Sequence, residues 1–402
     1  MSLREIVAQE IRERGPIPFS RYMELCLYHP ALGYYSRNAE QFGKAGDFYT
    51  SSDVHAVFGR LLARQFEEIW RALGATAQIE ILELGAGRGL FAQDVLDWSE
   101  NKFPMFFRAL HYSLAERSPA LRGKLKERLA RFIERGRVSL PTRDERNDSI
   151  VNGMNGKGAT ALFANGHEIQ RALGSEVPLL IFANEFFDAL PVEILSDRGT
   201  LHISTADDRF VETWVPSSPE ELNFIDRHGV HPEAGERVEV PLLAGRYMSN
   251  LAALIQRGAA IVIDYGYTRQ QQLGGRHRGT LMTYRQHTAS PNAYAVPGEQ
   301  DITAHVNFTA LTAAADGSGM QVQPLLTQSQ FLMGIGEQNQ FADVFADCGL
   351  PQERAKVALQ LKHLVTPAGV GENFHVLVAS KGVDARGVAG LSGLSFATSR
   401  IS

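Results

Sequence analysis

Cysteine is nearly absent. Cys26 and Cys348 stand alone in 402 residues, far apart and without a C-x-x-C partner. That pattern excludes a disulfide framework and a zinc knuckle, and it makes a reducing cytoplasm the expected setting. Long apolar runs are missing too, and none approaches the roughly 18 residues a membrane span requires. Met1 to Arg14 sets Arg and Glu among Leu3, Ile6, Val7 and Ile11. A signal peptide needs an uncharged apolar stretch and a transit peptide avoids acids, so neither is read here. Positive charge is not in excess: 40 Lys and Arg face 45 Asp and Glu, a formal net charge of −5 with both signs dispersed. Nothing here resembles a nucleic-acid footprint, whereas a modestly acidic surface tolerates a basic polypeptide. The histidines show no H-E-x-x-H spacing, and His167-Glu168 lacks its second histidine, so no metal is expected. No internal repeat is evident, which argues against solenoids and propellers.

What is present begins with Glu83-Leu84-Gly85-Ala86-Gly87-Arg88-Gly89, which closes the apolar run Ile79 to Leu84 and opens a helical pattern. This is the order of a strand, a glycine turn and a helix N-terminus. Gly85 and Gly87 let backbone approach a ligand with no Cβ in the way, and the first amides of the helix favour an anion. A dinucleotide fingerprint would need Gly or Ala where Leu90 stands. Glu83, near the strand end, would repel a pyrophosphate and suit a cation, as in the sulfonium and ammonium of S-adenosyl-L-methionine. An ordinary tight turn is the alternative at this point.

A second strand and helix follow. His111 to Ala115 ends at Glu116, then Ser118-Pro119 supplies an N-cap and first-turn proline, and Leu121, Leu125, Leu129 and Phe132 recur at helical spacing. Glu116 therefore sits at the carboxyl end of a strand, where a carboxylate can take both ribose hydroxyls. A solvated strand-end residue is the alternative.

The fold class read from this alternation is α/β: a Rossmann-like parallel sheet with strands near 79–84, 110–116, 136–140 and 178–184 and helices on both faces. Residues 1–75 read as a helical N-terminal segment with a Gly- and Tyr-rich stretch from His29 to Thr50, and 76–265 as the cofactor-binding core. Within that core, 141–166 is an Asn- and Gly-rich insertion and 192–215 a hairpin around Asp207-Asp208. A helix near 244–257 leads to a strand near 259–264. Residues 266–336 form a second excursion. Then 337–380 returns to the core with a helix near 338–348 and a strand near 373–380, and 381–402 reads as a loose Gly-, Ala- and Ser-rich tail.

Leu179-Leu180-Ile181-Phe182-Ala183-Asn184-Glu185-Phe186-Phe187-Asp188 is a buried strand running into an amide, two acids and two aromatics beside the glycine turn. Methyl transfer needs in-line placement, exclusion of water and a grip on the acceptor. For a guanidinium acceptor a carboxylate grips bidentately. Glu185 is the first choice for that role, with Asp188 assisting; helix capping by Asn184 and Asp188 is the alternative. Asp264 and Asp301 read equally well as acceptor-holding or turn-capping acids.

Several further blocks stand in order: Pro16-Ile17-Pro18-Phe19-Ser20-Arg21-Tyr22-Met23, Tyr28-His29-Pro30, Gly33-Tyr34-Tyr35, Gly46-Asp47-Phe48-Tyr49-Thr50-Ser51, Ile263-Asp264-Tyr265-Gly266, Asp301 to Phe308 and Gln330-Phe331-Leu332. With the glycine turn and Asn184 to Val192, they make the chain resemble the MidA family from Pro16 to about Ser380. These are class I S-adenosylmethionine-dependent methyltransferases related to the mitochondrial complex I assembly methyltransferase. The resemblance implies that Gly85, Ala86 and Gly87 contact the cofactor, Glu83 its amino end and Glu116 its ribose. It further implies that Asp47, Phe48, Thr50 and Ser51 cover the cofactor and acceptor channel, with Asn184 and Glu185 facing the reacting centre. For mitochondrial members it implies symmetric ω-dimethylation of an arginine in a respiratory complex I subunit. The chain departs in Ala86 where relatives often carry proline, in Ser52-Asp53 for a Pro-Glu pair, and in the length of 141–166. The lack of a transit peptide points to a bacterial, cytoplasmic member.

The expected function is thus methylation of a protein arginine, with the oligomeric state left open. The rivals are an assembly chaperone that keeps the fold without catalysis and, more weakly, a nicotinamide-dependent oxidoreductase.

Overall fold

Ile79–Leu84 and Leu179–Asn184 are buried along nearly their whole length and pair in parallel, Ile81 opposite Leu180 and Leu84 opposite Ala183. Near-continuous apolar strands of this kind are stable only when both sheet faces are covered. The computed structural model describes residues 1–37, 56–140, 177–207, 209–285, 288–366 and 371–398. Six strands of its central sheet carry the argument: β1 (Ile79–Leu84), β2 (Leu110–Ala115), β3 (Val138–Ser139), β4 (Leu179–Asn184), β5 (Gly258–Tyr267) and β6 (Phe374–Lys381). Their order is β6-β5-β4-β1-β2-β3, parallel throughout except for β6, which runs antiparallel to β5. The expected Rossmann-like α/β fold is therefore present, with strand bounds within three residues of those read from sequence.

Alternation along each strand sorts the core into two layers. Ile81, Tyr112, Leu180, Phe182 and Ile261 pack with the Ala56–Ala72 and Leu90–Lys102 helices. Leu82, Leu84, Ile181, Ala183 and Val262 pack with the Leu242–Leu254 and Phe308–Gly317 helices. A smaller sheet joins Ile17–Pro18 to Gly199–Ala206, and through it to Glu193–Ser196 and Val238–Val240. The N-terminal helix Leu3–Arg14 closes over this sheet with Leu3, Val7 and Ile11, its start fixed by a Ser2/Glu5 capping box. Among the described residues, no helix is long and apolar enough to cross a membrane.

Four segments differ from expectation. The hairpin 192–215 is three strands, because Gly199, at φ 113°, follows a turn that splits the first run into Glu193–Ser196 and Gly199–Ala206. Residues 266–336 are more than an excursion: Val306–Asn307 extends the sheet beside Gly266–Tyr267, and Phe308–Gly317 covers one of its faces. Where one helix was placed near 338–348, only Ala342–Phe345 is helical, because Phe341 adopts left-handed backbone against Gly336; the capped helix Gln328–Glu337 ends before that span and Pro351–Val365 follows it. The tail also corrects the reading. Ala385–Ala389 and Ser392–Thr398 form short helical turns that bury Val388, Leu391 and Leu394 on the main core. Ser392 donates through its amide and hydroxyl to Glu68 at 2.9 and 2.8 Å.

Candidate active site

The strand order reverses beside β1, with β2 and β3 on one flank and β4 on the other. The carboxyl ends of β1 and β4 thus form the crevice where open α/β sheets bind ligands. After Leu84 the chain turns through Gly85, Gly87 and Gly89 at φ 66°, 55° and 75°, a left-handed run that glycine adopts without steric penalty. A Cβ at Gly87 would meet nothing closer than the Gly85 carbonyl at 3.9 Å. Its bare backbone faces a cavity of about 780 Å³ that Gly85 also lines. From the end of β2, Glu116 accepts the Gly87 amide at 2.9 Å and the Ser118 amide at 2.7 Å. Burial pushes its pKa up while those amides and that of Arg117 pull it down, and three donors leave a carboxylate with acceptor capacity for a ligand hydroxyl.

On the other side of the crevice β4 runs into Glu185, a non-glycine residue at φ 49°. Left-handed backbone costs a residue with a side chain about 1–2 kcal/mol, so the turn must be held by its surroundings. Asp264, fully buried in β5, holds it. Its Oδ2 accepts the amides of Phe186, Phe187 and Asp188 at 3.1, 2.9 and 3.3 Å, and its Oδ1 accepts that of Tyr265 at 3.0 Å. Of the two sequence readings for Asp264, the structure shows turn-capping. Burial and the carboxylates of Asp188 and Glu185 push its pKa up, against the amides.

Asp188 is 6% exposed, lines the cavity, and has an Oδ1 with no hydrogen-bond partner among the described residues. Burial pushes its pKa up to about 6, opposed by hydrogen bonding from the Tyr265 hydroxyl.

Gly85, Gly87, Glu116, Glu185 and Asp188 thus meet on one cavity. Glu83, Ala86 and Asn184 do not line it. Glu83 is buried, accepts the Tyr112 hydroxyl at 2.8 Å, and is pushed up to about 8 by burial, with Glu116 adding to the rise. Ala86 is 7% exposed inside the turn. Asn184 donates to Glu185 Oε1 at 3.1 Å, and its own Oδ1 is buried with no partner among the described residues. Asp47, Phe48, Thr50 and Ser51 lie outside the described residues. Sequence reasoning passed over Tyr28, Tyr35 and Tyr265, which line the same cavity, and left Asp301 undecided; it lines the cavity as well. The tyrosine clusters near 28 and 35 were the available signal. The rest of the wall carries Glu10, Glu24 and Glu220, paired at 2.9, 2.7 and 2.6 Å with Arg21 and Arg246.

Residues 61–326 match the model of a family of S-adenosyl-L-methionine-dependent methyltransferases. The chain belongs to this family. It is similar to Protein arginine methyltransferase NDUFAF7, mitochondrial, of Danio rerio, at 28% identity over 93% of this chain and 85% of the relative. To the Homo sapiens protein of the same name it is 27% identical over 91% of this chain and 80% of the relative. It also resembles a solved Burkholderia thailandensis superfamily member bound to S-adenosyl-homocysteine, with TM-score 0.76 and 27% identity over 98% of this chain and 94% of that one. The resemblance to MidA read from sequence is borne out. S-adenosylmethionine is the cofactor of this methyltransferase, and the uncovered backbone at Gly87 together with the unsaturated carboxylate of Glu116 fits such a ligand.

Proposed function

We propose that this methyltransferase acts on an ω-nitrogen of arginine in a basic polypeptide, such as a respiratory-complex subunit during assembly, with symmetric dimethylation as the end state. One observation carries the reading: a single cavity holds the glycine turn with Glu116 and, one strand over, the carboxylates of Glu185 and Asp188. The acceptor class is supported by the relatives named protein arginine methyltransferase.

S-adenosylmethionine supplies an electrophilic sulfonium methyl when bound. Gly85 and Gly87 would give it close backbone contact, and Glu116 would hold its ribose hydroxyls. The arriving guanidinium is charged, since its pKa lies above about 12. Glu185 offsets that charge as water is lost and aims one nitrogen at the methyl, with Asn184 steadying its Oε1. Asp188, with its buried free oxygen, accepts the proton that the nitrogen sheds as its new bond forms. Replacing Glu185 with Gln tests this. Cofactor affinity stays near wild type while turnover falls by about a hundredfold or more. Turnover at the wild-type rate would end the assigned role.

A further inference from the structure

Beyond Glu185, the wall that carries Asp188 also holds three tyrosines and a second acid to which neither the cofactor nor the proposed proton transfer gives a role. Tyr28 and Tyr35 pack with ring centroids 5.5 Å apart. The Tyr28 hydroxyl is fixed on the Ala189 carbonyl at 2.8 Å, and the Tyr35 hydroxyl on Asp301 Oδ1 at 2.9 Å. Both phenols lie in the field of Asp188 and Asp301 and are held neutral by burial. Tyr265 closes the wall through its bond to Asp188. Two carboxylates, 6% and 3% exposed, therefore sit among tyrosines, and one of them keeps an unpartnered oxygen. A buried carboxylate oxygen without a donor, as at Asp188, is costly until a donor or cation completes it, and aromatic walls add to the attraction of a cation. The wall already accepts one guanidinium: Arg117 lies 5.4 Å from the Tyr28 ring centroid.

We infer that Tyr28, Tyr35, Tyr265, Asp188 and Asp301 form a cation subsite that receives the guanidinium of the acceptor arginine. The inference rests on the arginine reading above and extends it to a charge requirement. The subsite discriminates by charge rather than shape, so it admits arginine and rejects citrulline, its neutral isostere. It shares one cavity with Gly85 and Gly87 of the glycine turn.

The test is calorimetric titration of the full chain, saturated with S-adenosylhomocysteine, using acetyl-Gly-Arg-Gly-amide and the same peptide carrying citrulline. The arginine peptide binds at least about tenfold more tightly. Asp301→Asn lowers arginine affinity by a similar factor, leaves the citrulline value alone and keeps S-adenosylhomocysteine affinity, which reports an intact fold. Tyr35→Leu weakens the arginine peptide in the same selective way. Equal affinities for the two peptides in wild type, or unchanged arginine affinity in folded Asp301→Asn, would overturn the subsite. If Asp301→Asn fails to fold, Tyr35→Leu decides: unchanged arginine affinity in that variant overturns the subsite, since Glu185 alone would also prefer arginine to citrulline. Selective arginine binding without methyl transfer to any arginine polypeptide would instead refute the proposed reaction and leave the subsite standing.

Discussion

Asp264 Oδ2 stands 2.9 Å from the amide nitrogen of Phe187, at the centre of three successive backbone donors that follow Glu185. One buried carboxylate thus sets the direction of two cavity-facing acids without reaching the cavity itself. Asp264→Asn puts an amide group against backbone donors and loosens the turn. Turnover should drop by about a hundredfold, as small misplacements of reacting groups do. Cofactor affinity should stay near wild type, because the amides that Asp264 accepts are those of residues 186–188 and Tyr265, outside the glycine turn. Equal loss of both in folded protein would contradict a positioning role.

Asp188 gives the reaction a pH signature. Its carboxyl is pushed up to about 6, so below that value it is protonated and cannot take the proton from the acceptor. The expected kcat/KM falls about tenfold per pH unit on the acid side. Asp188→Asn is slow at every pH and lacks that limb. An acid limb of the same midpoint in the variant would assign it to another group.

Glu83 is protonated over much of the neutral range, being pushed up to about 8 in the folded chain. A group raised in this way favours the fold at low pH, and the benefit is lost as pH climbs through about 8. Glu83→Gln should therefore be more stable than wild type near pH 9, by about 1 kcal/mol or more, in urea unfolding. If the side chain leaves Tyr112 for the ammonium of the cofactor, binding releases a proton and tightens with rising pH. Calorimetry in buffers of different ionisation enthalpy reads that proton, and its absence would remove Glu83 from the cofactor site.

Removing the Glu68 side chain should cost about 1–3 kcal/mol of stability, since Ser392 loses its acceptor for both amide and hydroxyl. Urea unfolding of Glu68→Ala measures it. S-adenosylhomocysteine affinity should not change, because this contact lies outside the cavity.

The central strands were legible because their side chains state their environment: a near-continuous apolar run such as Leu179 to Ala183 is stable only inside a covered sheet. The position of Glu185 and Asp188 on the cavity was legible for the same reason, since polar residues directly at such a strand's end fall at the sheet's carboxyl edge. Asp301 and the tyrosines were not, because their meaning depends on distant partners. Tyr35 finds Asp301 across 266 residues and Tyr28 finds Ala189 across 161. Asp264 reads alike as ligand-holder or cap until the turn 76 to 78 residues earlier is seen beneath it. The segment after Lys381 misled for another reason. Its small residues dominate the composition, while a few well-spaced apolar side chains, Val388, Leu391 and Leu394, do the anchoring.

The bond from Ser392 to Glu68 spans 324 positions of sequence. On the ribosome, the Ala56–Ala72 helix therefore waits for a partner made long after the cofactor turn and both acidic strand ends. Until then Glu68 has no Ser392 to receive and part of one face of the sheet is uncovered. Contacts closed over so long a stretch of chain form late, and an apolar face left open until then is exposed to aggregation.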